Sequence, residues 1–125
     1  MSLKNSYLRI LMLSLNSSKT INELGITVSV GGMLISGIII SKDEFMQANQ
    51  NSALKAIDDR FETDPKFQEY QNSEDYNALE DTNFLYLKNS FYFFADKKVP
   101  SHEGTFIVVH LNDICAYNIG HLGTD

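Results

Sequence analysis

Apolar and polar residues alternate most clearly between Gly25 and Val30, where they predict a half-buried strand. Gly31 and Gly32 follow directly, and a tight two-residue hairpin needs residues that can adopt positive φ. A second apolar strand is predicted from Met33 to Ser41. The stretch is therefore predicted to be a β-hairpin, with the two glycines as its structural turn residues.

Gly37 interrupts the second of these strands. A glycine inside a strand weakens it, and it commonly marks a bend or the close approach of another backbone. We interpret Gly37 as a bend residue. The hairpin is then strongly curved, as in a hairpin that closes a small barrel.

An N-terminal helix is predicted from Leu3 to about Leu15, with Ser2 as its N-cap. The apolar residues recur at helical spacing and form one stripe. The stripe comprises Tyr7, Leu8, Leu11, Met12 and Leu15, and Ile10 and Leu13 widen it. We expect this helix to be well covered by the rest of the protein.

A helical insert of about residues 42–82 follows the hairpin. Ser41 and Glu44 form a capping box, in which the serine caps the helix and the glutamate reaches back to the Ser41 backbone. The helix is predicted to run to about Phe61. Its predicted inner face comprises Met46, Ala53, Ile57 and Phe61, with Phe45 beside them. A short helix from Asp64 to Tyr70 and a polar loop from Gln71 to Thr82 complete the insert.

Three further strands are predicted after the insert. They span Asn83–Ala95, with a bulge or bend at Asn89–Ser90, then Thr105–His110 and Ile114–Ile119. Asp96–Gly104 is interpreted as a turn-rich connection. The chain is therefore predicted to be a single domain over residues 1–125, mainly β with helices (α+β).

Charge is distributed unevenly along the chain. The formal net charge is −6, but the segment from Asp43 to Asp81 holds eleven acidic and three basic residues, a net charge of −8. The remainder carries +2. Nonspecific nucleic-acid binding depends on Lys and Arg, so the acidic balance argues against it. The single Cys115 fits a reducing, cytoplasmic setting, and we expect neither a signal peptide nor a membrane span.

Candidate catalytic and metal-binding residues are few. Cys115, His102, His110 and His121 fit no zinc-ligand spacing, and Cys115 is interpreted as a small apolar strand residue. The sequence contains neither a G-x-S-x-G nucleophile motif nor a phosphate-binding glycine loop. We therefore predict no metal, no cofactor and no enzymatic activity.

Two stretches resemble the first motif of the Sm-like barrel proteins. Gly32, Gly37 and Ile39 match its G-x-x-x-x-G-x-L core, and Leu85–Asn89 resembles its L-x-L-x-[DN] end. The chain also resembles the gas-vesicle accessory proteins of the U type (GvpU). That resemblance lies in ITVSVGGMLISGIIIS followed by a helix, in FLYLKN, and in the closing pattern that ends at Ile119–Gly120.

The resemblance implies a five-stranded Sm-like barrel that assembles into a homo-oligomeric ring and binds other proteins without catalysis. The last two predicted strands lack proline and have little charge, so they are the expected edges through which about five to seven subunits join. The apolar residues expected in that interface are Ile107, Val109, Ile114 and Ile119.

An RNA-binding Sm-like ring is the alternative. Its candidate contacts are Phe45, Gln47, His110 and Asn112. The second Sm motif usually contains Arg-Gly, whereas this chain reads FIVVHLNDI. The missing Arg-Gly and the acidic insert favour the protein-binding interpretation.

Overall fold

A computed structural model describes residues 5–18, 23–63 and 83–120 of the chain. The helices are α1 (Ser6–Ser18), α2 (Lys42–Gln47) and α3 (Ser52–Thr63), with 3₁₀ turns at Asn49–Asn51 and Leu111–Asp113. The strands are β1 (Leu24–Val30), β2 (Met33–Ile40), β3 (Phe84–Phe94), β4 (Lys97–Val99), β5 (Thr105–His110) and β6 (Ala116–Ile119).

The strands form one antiparallel sheet in the order β4-β3-β2-β1-β6, and β5 also pairs with β3. The α+β class is confirmed, but the sheet has six strands where five were predicted. The extra strand is β4, whose three residues pair with Tyr92–Phe94. Within the described ranges β5 and β6 do not pair with each other, so the sheet is open and not the predicted closed barrel.

The β1–β2 hairpin turns at Gly31 and Gly32, whose φ values are +55° and +81°. The turn joins the directly paired residues Val30 and Met33. Positive φ at both central residues is the geometry of a type I′ turn, whose twist matches that of the strands it joins.

A bulge divides β3 at Asn89 and Ser90, as the sequence predicted. The pairing register with β5 shifts between Leu87 and Ser90, and Asn89 has φ +49°. On the other side, the register with β2 shifts between Ser36 and Ile38, which flank Gly37. The two irregularities therefore face each other across the β2–β3 pair.

Two glycines leave room for this bulge. A Cβ at Gly37 would lie 2.9 Å from Ser90 Cβ and closer still to Ser90 Oγ. A Cβ at Gly104 would lie 2.5 Å from the Asn89 carbonyl carbon and 2.7 Å from the Ser90 nitrogen. Real Cβ atoms do not approach other atoms this closely, so a larger residue at Gly104 forces the backbone of β3 to move and one at Gly37 displaces Ser90.

Helix α1 begins at Ser6, three residues later than predicted, and the predicted cap Ser2 lies outside the described residues. Leu8, Met12 and Leu15 are buried as expected, and Leu11 is half-buried. The prediction of a well-covered helix was wrong, because Tyr7, Ile10 and Leu13 are exposed. Arg9 points inward instead, and its hydrogen bonds set the rotation of α1 about the helix axis.

The capping serine is confirmed at the start of α2. Ser41 Oγ accepts a hydrogen bond from the Glu44 backbone N–H at 3.1 Å. The predicted helix to Phe61 is interrupted after Gln47, where Ala48 is extended (φ −68°, ψ 140°). The buried Asn51 amide donates to the Phe45 carbonyl at 2.8 Å, and this local bond competes with a continuous helix.

The predicted inner face of the insert was largely wrong. Ala53 and Ile57 are exposed and Met46 is half-buried, whereas Phe45 is fully buried. The Phe61 side chain, the predicted helix at Asp64–Tyr70 and the loop at 71–82 lie outside the described residues.

Phe45 joins the insert to the main core. Its ring lies 5.0 Å from that of Tyr86 and 6.0 Å from that of Phe106, measured between centroids. The core is built from residues on both faces of the sheet, from α1 and from α2. Its buried apolar members are Leu8, Met12, Leu15, Ile26, Val28, Ile35, Ile39, Ile40, Phe45, Leu85, Tyr86, Leu87, Ile107, Val109, Leu111 and Ile114.

Gly37→Ala should destabilise the protein strongly, because the new methyl group overlaps Ser90. We expect a loss of about 2–3 kcal/mol of unfolding free energy, in the range of overpacked cores. Chemical denaturation measures it. Adding Ser90→Gly should recover part of the loss by removing the overlapping side chain.

Gly31→Asn is the control for this substitution. The φ of Gly31 is +55°, in the left-handed region that asparagine visits, and nothing lies within 4 Å of the new Cβ, so the cost should be about 1 kcal/mol. Equal losses at the two glycines would contradict the steric account of the bulge.

Candidate protein-binding surfaces

A groove of about 350 Å³ lies where α1, β2, β3 and the start of α2 meet. Apolar residues form its floor and charged residues form its rim. The lining residues are Leu15, Glu23, Ile38, Ile39, Ile40, Ser41, Asp43, Glu44, Gln47 and Lys88. The capping serine places Asp43 and Glu44 on this rim, because it fixes where α2 begins.

Lys88 spans the rim of the groove. Its Nζ donates to Glu44 Oε2 at 3.1 Å and lies 3.6 Å from Glu23 Oε1. The hydrogen bond to Glu44 is the main reason that the pKa of Lys88 is raised above its ordinary value, and the charge of Glu23 adds to it. Glu44 was predicted to reach back to Ser41, but its carboxylate bonds to Lys88 instead.

The predicted oligomer-interface residues differ in their exposure to solvent. Ile107, Val109 and Ile114 are buried in the core of the chain itself, so their side chains offer no outer surface. Ile119 on β6 is 57% exposed. The outward apolar residue of β5 is Val108, which is 42% exposed and lies between the two buried positions.

The four candidate RNA contacts do not form one surface. Phe45 is buried in the core, and Gln47 lies in the groove. His110 and Asn112 lie together at the end of β5, where His110 Nδ1 accepts from the Asn112 backbone N–H at 3.1 Å. No exposed aromatic platform results from these four residues, and base stacking needs one.

The outer face of α1 is apolar and exposed. Tyr7 is 81% exposed, Ile10 61% and Leu13 54%, and the three recur at a spacing of three residues. The only charged residue of the helix, Arg9, is buried. Large exposed apolar residues grouped on one helix face mark a surface suited to protein contact.

Arg9 and Asn5 fix α1 against the far end of the chain. Arg9 donates to the side-chain carbonyl oxygens of Asn83 and Asn112, the latter at 2.5 Å. The Asn5 amide donates to the carbonyl of Leu111 at 2.5 Å and to that of Ile114 at 3.2 Å. These bonds connect the helix to the start of β3 and to the 3₁₀ turn before β6.

Within residues 5–18, 23–63 and 83–120, no group of three or more His, Cys, Asp or Glu residues is placed to hold a metal ion. Cys115 is exposed and immediately precedes β6, so its interpretation as a strand residue was wrong. His102 is exposed in the loop before β5, and His121 lies outside the described residues. In the same ranges, no helix is long and apolar enough to cross a membrane.

Sequence reasoning missed the groove and the burial of Arg9. Lys88 alternates with the buried Leu85 and Leu87 along β3. This alternation indicated that Lys88 points away from the core, but it did not indicate which residues Lys88 contacts. Arg9 carried one usable signal, since it is the only charge in an otherwise uncharged helix. A lone cation among apolar residues is either exposed or held by specific acceptors.

The fold and these surfaces define a small α+β protein with apolar faces and an acidic-rimmed groove suited to binding. The chain matches the model of a family described as gas vesicle protein GvpU-like over residues 5–122, and it therefore belongs to that family. No curated protein and no solved structure matches the chain.

Arg9→Met should cost about 1–3 kcal/mol of stability, because the buried Arg9 loses its charge-assisted hydrogen bonds to Asn83 and Asn112. Denaturant unfolding measures this loss. Arg60→Met is the matched control, since Arg60 is exposed on α3 and its removal should change stability little. Equal effects of the two substitutions would show that Arg9 does not hold α1 in place.

Proposed function

We propose that this chain is a non-catalytic accessory protein of gas vesicle assembly, which acts in the cytoplasm by binding other proteins and copies of itself. Membership of the GvpU-like family supports the link to gas vesicles. The exposed apolar face of α1 supports the binding role, because such a face is costly to keep in water without a partner. We further propose that copies of the chain form an Sm-like ring.

The observation that carries the ring proposal is the pair of edges at β5 and β6. Among the described residues β5 pairs only with β3, and β6 pairs only with β1. Their outer backbone groups are therefore available to a strand of a neighbouring copy. The strand order β6-β1-β2-β3-β5 supports an Sm-like arrangement, in which these two strands would meet across the subunit boundary.

A contact between β5 of one copy and β6 of the next is heterologous, so it repeats around an axis until the ring closes. Backbone hydrogen bonds supply its direction. The outward side chains at the two edges, Val108 and Ile119, supply apolar contact. They take the interface role expected from the sequence for Ile107, Val109 and Ile114, whose side chains are buried within one chain.

The double substitution Val108→Lys and Ile119→Lys should convert the ring to monomers. Both residues are exposed, so folding should be preserved. Each β5–β6 subunit interface loses apolar contact and gains two like charges, so its affinity should fall about tenfold or more. Multi-angle light scattering at micromolar concentration measures the mass.

Leu54→Lys is the matched control, because Leu54 is 44% exposed and belongs to α3, not to either edge strand. Its mass should equal that of the unmodified protein. A monomer mass for the unmodified protein would refute the ring. Loss of the oligomer in Leu54→Lys would refute the proposed β5–β6 interface. The gas vesicle role is tested separately, by the yield of buoyant vesicles in a producing host with and without this chain.

A further inference from the structure

We propose that the groove between α1, β2 and α2 binds a basic amphipathic segment of a partner protein. This inference specifies the chemistry of a partner for the proposed accessory function, and it rests on that function. Its own basis is the combination of an apolar floor and a carboxylate rim in one groove of about 350 Å³.

The floor of the groove sets the first requirement on the occupant. Its apolar lining residues are Leu15, Ile38, Ile39 and Ile40. A space of this size accepts one or two aliphatic side chains, and their burial is the favourable term for binding. A fully polar ligand leaves this floor uncovered and gains little from it.

The rim sets the second requirement. Among the residues that line the groove, three are carboxylates (Glu23, Asp43 and Glu44) and one is an ammonium group (Lys88), so their formal net charge is −2. Nearby Lys42 does not line the groove, and its Nζ pairs with Asp58 of α3 at 3.1 Å. Charge complementarity therefore selects a cationic occupant and disfavours nucleic acid and acidic peptides.

Lys88 makes the charge of the groove adjustable by mutation. In the free protein its ammonium group bonds to Glu44 and lies near Glu23, and so occupies the position that a partner's Lys or Arg would take. A bound cationic segment shares these carboxylates with Lys88. Removing the Lys88 charge should therefore strengthen binding, whereas removing the Glu44 charge should weaken it.

Fluorescence anisotropy with short labelled peptides on the full chain tests this proposal. The probe contains alternating leucine and lysine. One comparison peptide replaces lysine by glutamate, and the other replaces leucine by alanine. We expect the leucine–lysine peptide to bind, the glutamate peptide not to bind, and the alanine peptide to bind about tenfold more weakly because the floor stays uncovered. Raising the salt concentration should weaken binding.

Two substitutions on the groove give opposite expected shifts. Lys88→Met keeps the aliphatic stem and should tighten binding of the leucine–lysine peptide about two- to fivefold. Glu44→Gln should weaken it by a similar factor. Glu103→Gln is the matched control, because Glu103 is exposed in the loop before β5 and its loss changes the net charge of the chain equally. It should leave binding unchanged.

Three results would overturn the proposal. Weaker or unchanged binding in Lys88→Met would show that Lys88 does not compete with the ligand. Equal binding of the leucine and alanine peptides would reduce the contact to nonspecific charge attraction. Equal effects of Glu44→Gln and Glu103→Gln would place the peptide elsewhere on the acidic surface.

Light scattering on the same samples separates this proposal from the ring. Lys88→Met and Glu44→Gln leave the outward residues Val108 and Ile119 unchanged, so they should not change the mass of the oligomer. If the protein is a ring but does not bind the peptide, only the groove proposal is refuted. If the protein is a monomer that binds the peptide, the ring proposal is refuted and the groove proposal is supported.

Discussion

The steric fit around the β3 bulge is the constraint on which the rest of the structure depends. Gly37 on one side leaves only enough space for the Ser90 side chain, and Gly104 on the other leaves only enough for the backbone of Asn89 and Ser90. The bulge divides β3 into a first half that pairs with β5 and a second half that pairs with β4. Because β2 pairs with both halves, the bulge sets how β4 and β5 are placed relative to β2.

Features encoded by neighbouring residues were predictable from the sequence. The Gly31–Gly32 turn, the Ser41 cap and the Asn89–Ser90 bulge each depend on a few adjacent residues whose backbone preferences are strong. The matching strands β1, β2, β3 and β5 followed from their apolar patterns. Strand β4 did not, because three residues are too few to show alternation.

Features that depend on distant partners were not predictable. The rotation of α1 is set by Arg9 bonding to Asn83 and Asn112, far along the chain, so its apolar pattern gave the wrong exposed face. In β5, the four successive residues from Phe106 to Val109 are all apolar. The sequence pattern therefore does not reveal whether Phe106 and Val108 or Ile107 and Val109 face the core. The groove draws its residues from α1, β2, α2 and β3, and no local pattern brings these together.

The placement of the helical insert bears on how this chain folds and varies. A two-residue turn joins β1 to β2, whereas the paired strands β2 and β3 are separated in the chain by residues 41–83. The entropy of closing a loop rises slowly with its length, by about 0.6 kcal/mol for each doubling. Changes in the length of this connection should therefore affect the speed of folding more than the final stability. Relatives can then lengthen or shorten the connection while they keep the same sheet, provided that Phe45 still reaches the core.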